Sequence, residues 1–260
     1  MVPMRRPSLL PRLARSGPRA APPPLVTTAL LVALTACSST ASREAGGESS
    51  EGAVDTGAAE VSGVQIATVT GDSIDVRVEQ GGDEVLETLA NPNEFGADRT
   101  FLVERDEGLW LEVLLPVRPN GTTGWVRSDE VTLTSTDYRV EVDVSEFAFT
   151  VLEGEEEVRS GVIGTGESET PTPEGRYYFT ELLQPPDPEG PYGVYAFGLS
   201  GFSESLETFA GGPGQLAVHG TNDESALGQR VSHGCVRVSN EDITWMAENL
   251  PIGTPVEISA

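Results

Sequence analysis

The 260-residue chain carries 16 basic residues, every one an arginine, against 41 acidic ones, for a formal charge of −25. So acidic a surface repels nucleic acid and anionic headgroups, which excludes both as partners. The lack of lysine also excludes Schiff-base chemistry, a P-loop lysine and a Ser-x-x-Lys nucleophile.

The chain opens on an acid-free stretch bearing Arg5, Arg6, Arg12, Arg15 and Arg19, followed by a ten-residue apolar run, LVTTALLVAL. That run is too short to span a bilayer comfortably. It ends in Leu34-Thr35-Ala36-Cys37, which resembles the lipobox of a bacterial lipoprotein. Residues 1–37 are therefore expected to be a lipoprotein signal peptide with Cys37 as the lipidated residue. The alternative is an ordinary secretory signal with an incidental cysteine. The expected location is extracytoplasmic, with the membrane met only through the N-terminal lipid. Without the five signal arginines, 11 basic residues face 41 acidic ones, a net of −30.

Residues 38–63 are rich in Ser, Gly, Ala and Glu and lack any aromatic residue. They read as a disordered acidic tether with an r.m.s. span of roughly 25–30 Å. From 64 to 135 the segments VQIATV, SIDVRVE, TFLVER, LWLEVLL and GWVRSDEVTL carry β-branched or aromatic residues with partial alternation. Turn signals such as Gly71-Asp72, Asn91-Pro92 and Asn120-Gly121 separate them. Five strands in this span predict a small barrel or sandwich of SH3-like type. Trp125 is expected to turn into its core; Trp110 and Trp125 read as core aromatics or as a ligand platform.

A second set of strands follows over 136–260: YRVEVDV, FAFTVLEG, EEEVRSGVIGTG, GRYYFTELL, VYAFGLSG and QLAVHG. One helix is expected late in the chain, with Ser239 as N-cap and Asp242 three residues on as its reciprocal acid. Ile243, Met246, Ala247 and Leu250 fall on one face, Pro251 and Gly253 mark the exit, and TPVEIS closes the domain as a strand. The glycine-rich, aromatic-bearing segment at 198–215 reads as a groove wall or simply a long loop. The predicted fold class is thus mainly β, in two domains, the second ending in a helix and a closing strand. A monomer is expected.

With Cys37 lipidated, Cys235 is a lone thiol in an exported protein and a reactive group to flag. Both histidines lie close to it in sequence, His219 at the end of a predicted strand and His233 two residues before the cysteine. A thiolate is the nucleophile, and an imidazole can take its proton or hold a thiolate–imidazolium pair. A nearby helix N-terminus would favour the negative charge. Gly234 permits tight packing and backbone N–H groups aimed at a developing oxyanion.

His219-Gly220-Thr221, a loop, then Ser232-His233-Gly234-Cys235-Val236-Arg237 resembles the signature of the L,D-transpeptidase catalytic domain. The upstream GVIGTGESETPTPEGRYYF is similar to that family's strand, Gly-rich turn and Thr-Pro-x-Gly segment. The resemblance covers roughly 138–259. It implies that Cys235 attacks the carbonyl preceding the terminal D-alanine of a peptidoglycan tetrapeptide stem, and that an amine of a second stem, or water, resolves the acyl-enzyme. It implies His219 as acid/base, oriented by the Gly220 carbonyl, with His233 shaping the site. Gly234 and Ser232 would serve the oxyanion and the substrate; Arg237 reads as partner of a stem carboxylate or as a structural ion pair, and Tyr195 as a groove residue or as core packing. No cofactor is implied. Two other readings stay open: zinc-assisted hydrolysis by His219, His233 and Cys235, and a non-catalytic lipoprotein that binds cell wall.

Overall fold

Alternating short segments within 64–136 form seven strands: β1 (Val64–Val69), β2 (Ser73–Arg77), β3 (Val85–Ala90), β4 (Thr100–Asp106), β5 (Trp110–Leu114), β6 (Thr123–Arg127) and β7 (Val131–Thr136). The computed structural model describes residues 63–260. The expected signal segment, Cys37 and the tether up to residue 62 lie outside the described residues. The seven strands make one sheet in the order β3-β2-β6-β5-β4-β1-β7. Ile74 of β2 and Val131 of β7, near opposite edges, join one buried cluster with Phe101, Leu111 and Val126. The sheet therefore curls and buries one face against itself, as a single sheet must to hide an apolar face.

Three expectations need correction here. The segment GWVRSDEVTL is two strands, β6 and β7, parted by a 3-10 turn at Ser128–Glu130. β3 was not foreseen, because VLETLA is exposed at nearly every position and shows no buried alternation. It is held by pairing with β2, Ile74 opposite Leu89. Trp125 does not turn into the core: along β6 the buried residues are Gly124 and Val126, and Trp125 alternates outward. Its ring lies under Arg105 at 5.6 Å, and Trp110 lies under Arg127 at 5.7 Å. These cross-strand arginines shield both indoles on the outer face.

The second sheet begins at Tyr138. Its elements are β8 (Tyr138–Asp143), β9 (Ala148–Glu153), β10 (Glu156–Val162), β11 (Thr165–Gly166), β12 (Gly175–Leu183), β13 (Ala196–Phe202), β14 (Gln215–His219), β15 (Arg230–Ser232), β16 (Val236–Arg237), α1 (Asn240–Asn249) and β17 (Pro255–Ser259). Eight strands pair in the order β10-β9-β8-β17-β12-β13-β14-β16, while β11 and β15 form a small parallel pair. The closing strand β17 is inserted between β8, to which it runs parallel, and β12, to which it runs antiparallel. Among the described residues the fold is thus mainly β with one α-helix.

Helix α1 starts where the sequence places it. Ser239 accepts from the Asp242 N–H at 3.0 Å, which caps the helix, and its hydroxyl donates to the Asp242 carboxylate at 2.6 Å, in place of the backbone N–H bond expected of a capping box. Arg159 from β10 bonds the same carboxylate at 2.7 Å. Ile243, Met246 and Leu250 are buried in the core with Phe149, Phe179 and Phe197, each worth about 1.5–3 kcal/mol of burial.

The two sheets share an interface. Tyr178 of β12 is buried with Leu102 and Leu114 of the first sheet. Asn93 donates to the buried Glu181 carboxylate at 2.9 Å, and Arg176 pairs with Glu104. Gly253 is glycine because a Cβ there would come within 2.5 Å of Ile66.

Candidate active site

Strands β14 and β16 run parallel with Val218 opposite Val236 and His219 opposite Arg237. Both valines are in the core, so the alternation of side chains puts Ala217, His219, Cys235 and Arg237 on the other face. Cys235 directly precedes β16, level with Ala217. The expected irregular return loop between the two strands is partly ordered. It contains a short 3-10 turn at Glu224–Ala226 and strand β15, which pairs with β11.

That pairing brings the two sequence segments together. Glu167 N–H donates to Ser232 O at 2.9 Å, and Gly166 N–H donates to the Thr172 hydroxyl at 2.9 Å. A Cβ on Gly166 would lie 2.2 Å from Thr170 O. The Gly-rich turn and the Thr-Pro segment thus pack beneath the cysteine segment, with Pro171 O near Gly234. Gly234 has φ +118, a conformation that L side chains rarely adopt.

His219 is buried. Its Nδ1 lies 2.6 Å from Gly220 O. A carbonyl only accepts, so Nδ1 carries the hydrogen and Nε2 is left as the free base. Burial pulls this imidazole down to about 4; the Gly220 carbonyl works in the opposite direction, and the nearby Arg237 charge adds to the lowering. Burial pushes the Cys235 thiol up, against the Ala217 backbone and the Arg237 charge. Burial thus works against the charged form of both groups.

The helix start does not supply the missing positive field. The Asp242 N–H is taken by Ser239 and the Asn240 N–H by Glu224, at 3.2 Å, so carboxylates and a hydroxyl already occupy that end. The other expected residues are placed as follows. The Ser232 hydroxyl is buried, donates to Cys235 O at 2.6 Å and accepts from Gly234 N–H at 3.2 Å. Ser232 thus holds the turn, and the Gly234 N–H is engaged by it rather than open to an oxyanion. His233 is exposed, its ring 5.1 Å from that of Phe209. Tyr195 packs on the core while its carbonyl accepts from Gly220 N–H. Arg237 makes no ion pair among the described residues, and its Nε is buried without a partner.

Two site residues escaped sequence reasoning. Tyr192, not Tyr195, is the tyrosine at the site: its ring lies 4.8 Å from the His219 ring. Burial foremost, with the Cys235 charge adding, raises its phenol, and Arg237 opposes them. Asn240 joins the segments around His219, donating to Thr221 O at 2.7 Å and accepting from Val194 N–H at 3.2 Å. Its amide fills the space where a Cβ on Gly193 or Gly220 would sit, 2.1 and 2.2 Å away. The Gly-Pro-Tyr-Gly run at 190–193 was the only visible signal of this packing.

Among the described residues no three His, Cys, Asp or Glu side chains group as metal ligands would. His219 is buried while His233 is exposed, so the two imidazoles do not gather with Cys235 as zinc ligands would. A polar cleft of about 460 Å³ opens beside Asn240, lined by Pro188, Glu189, Thr221, Asn222 and Glu224. Neither Cys235 nor His219 lines it, so the chemistry is read from the thiol and imidazole.

Residues 137–258 match the family model described as YkuD, L,D-transpeptidase catalytic domain. The Bacillus licheniformis protein that bears the name L,D-transpeptidase YkuD is 32% identical over 122 residues, covering 47% of this chain and 66% of that one. The Escherichia coli K12 protein YbiS, also named as an L,D-transpeptidase, is 42% identical over 74 residues, 28% of this chain and 20% of that one. The matched stretch thus spans less than two thirds of these relatives. Among solved structures, L,D-transpeptidase 3 from Mycobacterium tuberculosis in complex with a faropenem-derived adduct is 19% identical, with a TM-score of 0.42 over 74% of this chain and 82% of that one.

Proposed function

Since residues 137–258 are an L,D-transpeptidase catalytic domain of the YkuD family, we propose that Cys235 is its nucleophile and that the protein crosslinks peptidoglycan stems outside the cytoplasm. The observation that carries this reading is the His219–Gly220 pair. A carbonyl 2.6 Å from Nδ1 fixes the tautomer that leaves Nε2 unprotonated, and the pairing of β14 with β16 sets His219 beside the strand that Cys235 directly precedes.

Sγ attacks the carbonyl that precedes the terminal D-alanine as its proton passes to Nε2 of His219. The C–N bond then breaks, the proton goes to the leaving D-alanine nitrogen, and a thioester remains. An amine of a second stem attacks that thioester, His219 takes its proton, and Cys235 leaves as thiol; water in place of the amine makes the same site a carboxypeptidase. Arg237, with an unpartnered buried Nε, is the group for a stem carboxylate. Tyr192 shields the imidazole ring. A lipid at Cys37 would hold the enzyme at the membrane.

The test is incubation with a tetrapeptide stem and mass analysis of the products. D-alanine release with a stem dimer supports transpeptidation, and release without dimer supports carboxypeptidation alone. Intact stem, equal to that left by Cys235→Ala, contradicts both.

A further inference from the structure

The first sheet reaches the active site through one arginine. Arg118, between β5 and β6, donates from Nη2 to Ser203 O and Leu206 O, each at 2.9 Å, and from Nη1 to Pro213 O at 3.1 Å. Its guanidinium also stacks over the Phe202 ring at 4.6 Å. Two residues on, Asn120 donates to Phe202 O at 2.8 Å and accepts from Phe202 N–H at 2.9 Å, as a neighbouring strand would. All of these acceptors lie at the neck of the loop that joins β13 to β14. Ser203 N–H bonds Gly214 O across that neck at 2.8 Å, and the guanidinium ties its two sides together. At the tip, Phe209 and Gly212 bond each other reciprocally at 2.9 and 3.0 Å. From there the Phe209 ring abuts His233, two residues before Cys235.

We infer that Arg118 is a positioning residue for the active-site wall: it rivets the neck of the 203–214 loop so that Phe209 and His233 form a fixed edge of the groove that receives an extended peptide. The first sheet thereby shapes substrate binding without touching the reacting atoms. A guanidinium shared among three carbonyls is suited to this, because its planar donors fix direction and its charge strengthens each bond. A compact loop of this length is packed by its own side chains; this one has its own bonds at Ser203 and between Phe209 and Gly212, and Arg118 and Asn120 add five more from another domain at its neck. The inference rests on the proposed role of Cys235.

Arg118→Ala in the full chain tests it, with the rate of acylation by a carbapenem followed by intact mass. Alkylation of Cys235 by iodoacetamide, mapped by peptide mass, reports the thiol alone. The expected result is a loss of about tenfold in acylation, carried by the half-saturating concentration, with alkylation within about twofold of wild type. Arg118→Lys restores part of the loss. Phe209→Ala, at the exposed tip and away from the sheet interface, shows the same loss, and the double variant is no worse than either single one. Acylation of Arg118→Ala at the wild-type rate overturns the inference. So do losses that multiply in the double variant, or alkylation that falls in parallel with acylation. A wild-type protein that is alkylated but never acylated is a different result, which takes down the catalytic reading and this inference with it.

Discussion

Replacing Gly220 by alanine tests whether the site depends on the space taken by Asn240. A methyl carbon at position 220 would lie 2.2 Å from Asn240 Oδ1 and 3.2 Å from Ile243 Cγ2. Ordinary contact begins near 3.5 Å, so the amide must retreat by about 1 Å. It then loses its bonds to Thr221 O and from Val194 N–H. Overpacking of this kind costs about 1–3 kcal/mol and each of the two lost bonds about 1 kcal/mol, or about 3–5 kcal/mol together. For a unit of this size that lowers Tm by roughly 5–20 °C. The Gly220 carbonyl also shifts from His219 Nδ1, so acylation of Cys235 should slow by more than about tenfold. Urea unfolding and stopped-time mass measurement read both effects. In Gly220→Ala/Asn240→Ala the clash is gone, and the double variant should be less destabilised than the sum of the single ones. Gly220→Ala with stability within about 0.5 kcal/mol of wild type and an unchanged acylation rate would refute the packing argument.

Further outcomes follow from the same geometry. His219, at about 4 when folded against 6.5 as a free group, refuses a proton that the unfolded chain accepts. Its contribution is therefore full above 6.5 and lost as pH falls towards 4, by roughly 3 kcal/mol. Glu181 runs the other way: burial raises it from 4.5 to about 7, so its contribution is full below 4.5 and lost as pH rises to 7. In His219→Gln, urea unfolding across pH 4–7 should show stability falling with pH, the slope of Glu181 alone; a slope unchanged from wild type would contradict the assignment. Asn93→Ala removes a donor to the ionised Glu181 and should cost about 2–4 kcal/mol, more at pH 8 than at pH 6. Equal losses at the two pH values would show that the carboxylate is not what Asn93 serves. Ser239→Ala should cost about 1 kcal/mol in urea unfolding by removing the cap of α1, and no loss would mean the cap is redundant with Arg159.

Much of this architecture was legible in the sequence because local physics decides it. The β12 segment GRYYFTELL is the observed strand end to end, and Ser239 marks the helix start through a hydroxyl that accepts from the Asp242 N–H, a bond that needs only their spacing. The His-Gly-Thr and Ser-His-Gly-Cys segments could be joined on paper because the chemistry requires a base near the thiol. What escaped is set by tertiary neighbours. β3 has no apolar alternation and exists through its partner β2. Trp125 faces outward because Arg105 covers it, a relation between strands distant in sequence. Tyr192 and Tyr195 are indistinguishable by composition; the position of Gly193 against Asn240 decides which ring reaches His219. The Ser232 hydroxyl looked free for substrate, and only the folded turn reveals its bond to Cys235 O. Arg118 is a lone basic residue in a hairpin, and nothing local connects it with a loop 85 residues away.

The central claim is that Cys235 is the acylated nucleophile. Intact mass of the protein after exposure to a tetrapeptide stem, beside Cys235→Ala, tests it most directly. The expected result is a gain of one stem acyl group less D-alanine, mapped to Cys235, absent from the alanine variant and discharged by an added stem amine. An adduct that persists in Cys235→Ala, or folded wild-type protein that releases D-alanine without passing through any Cys235 adduct, would contradict it.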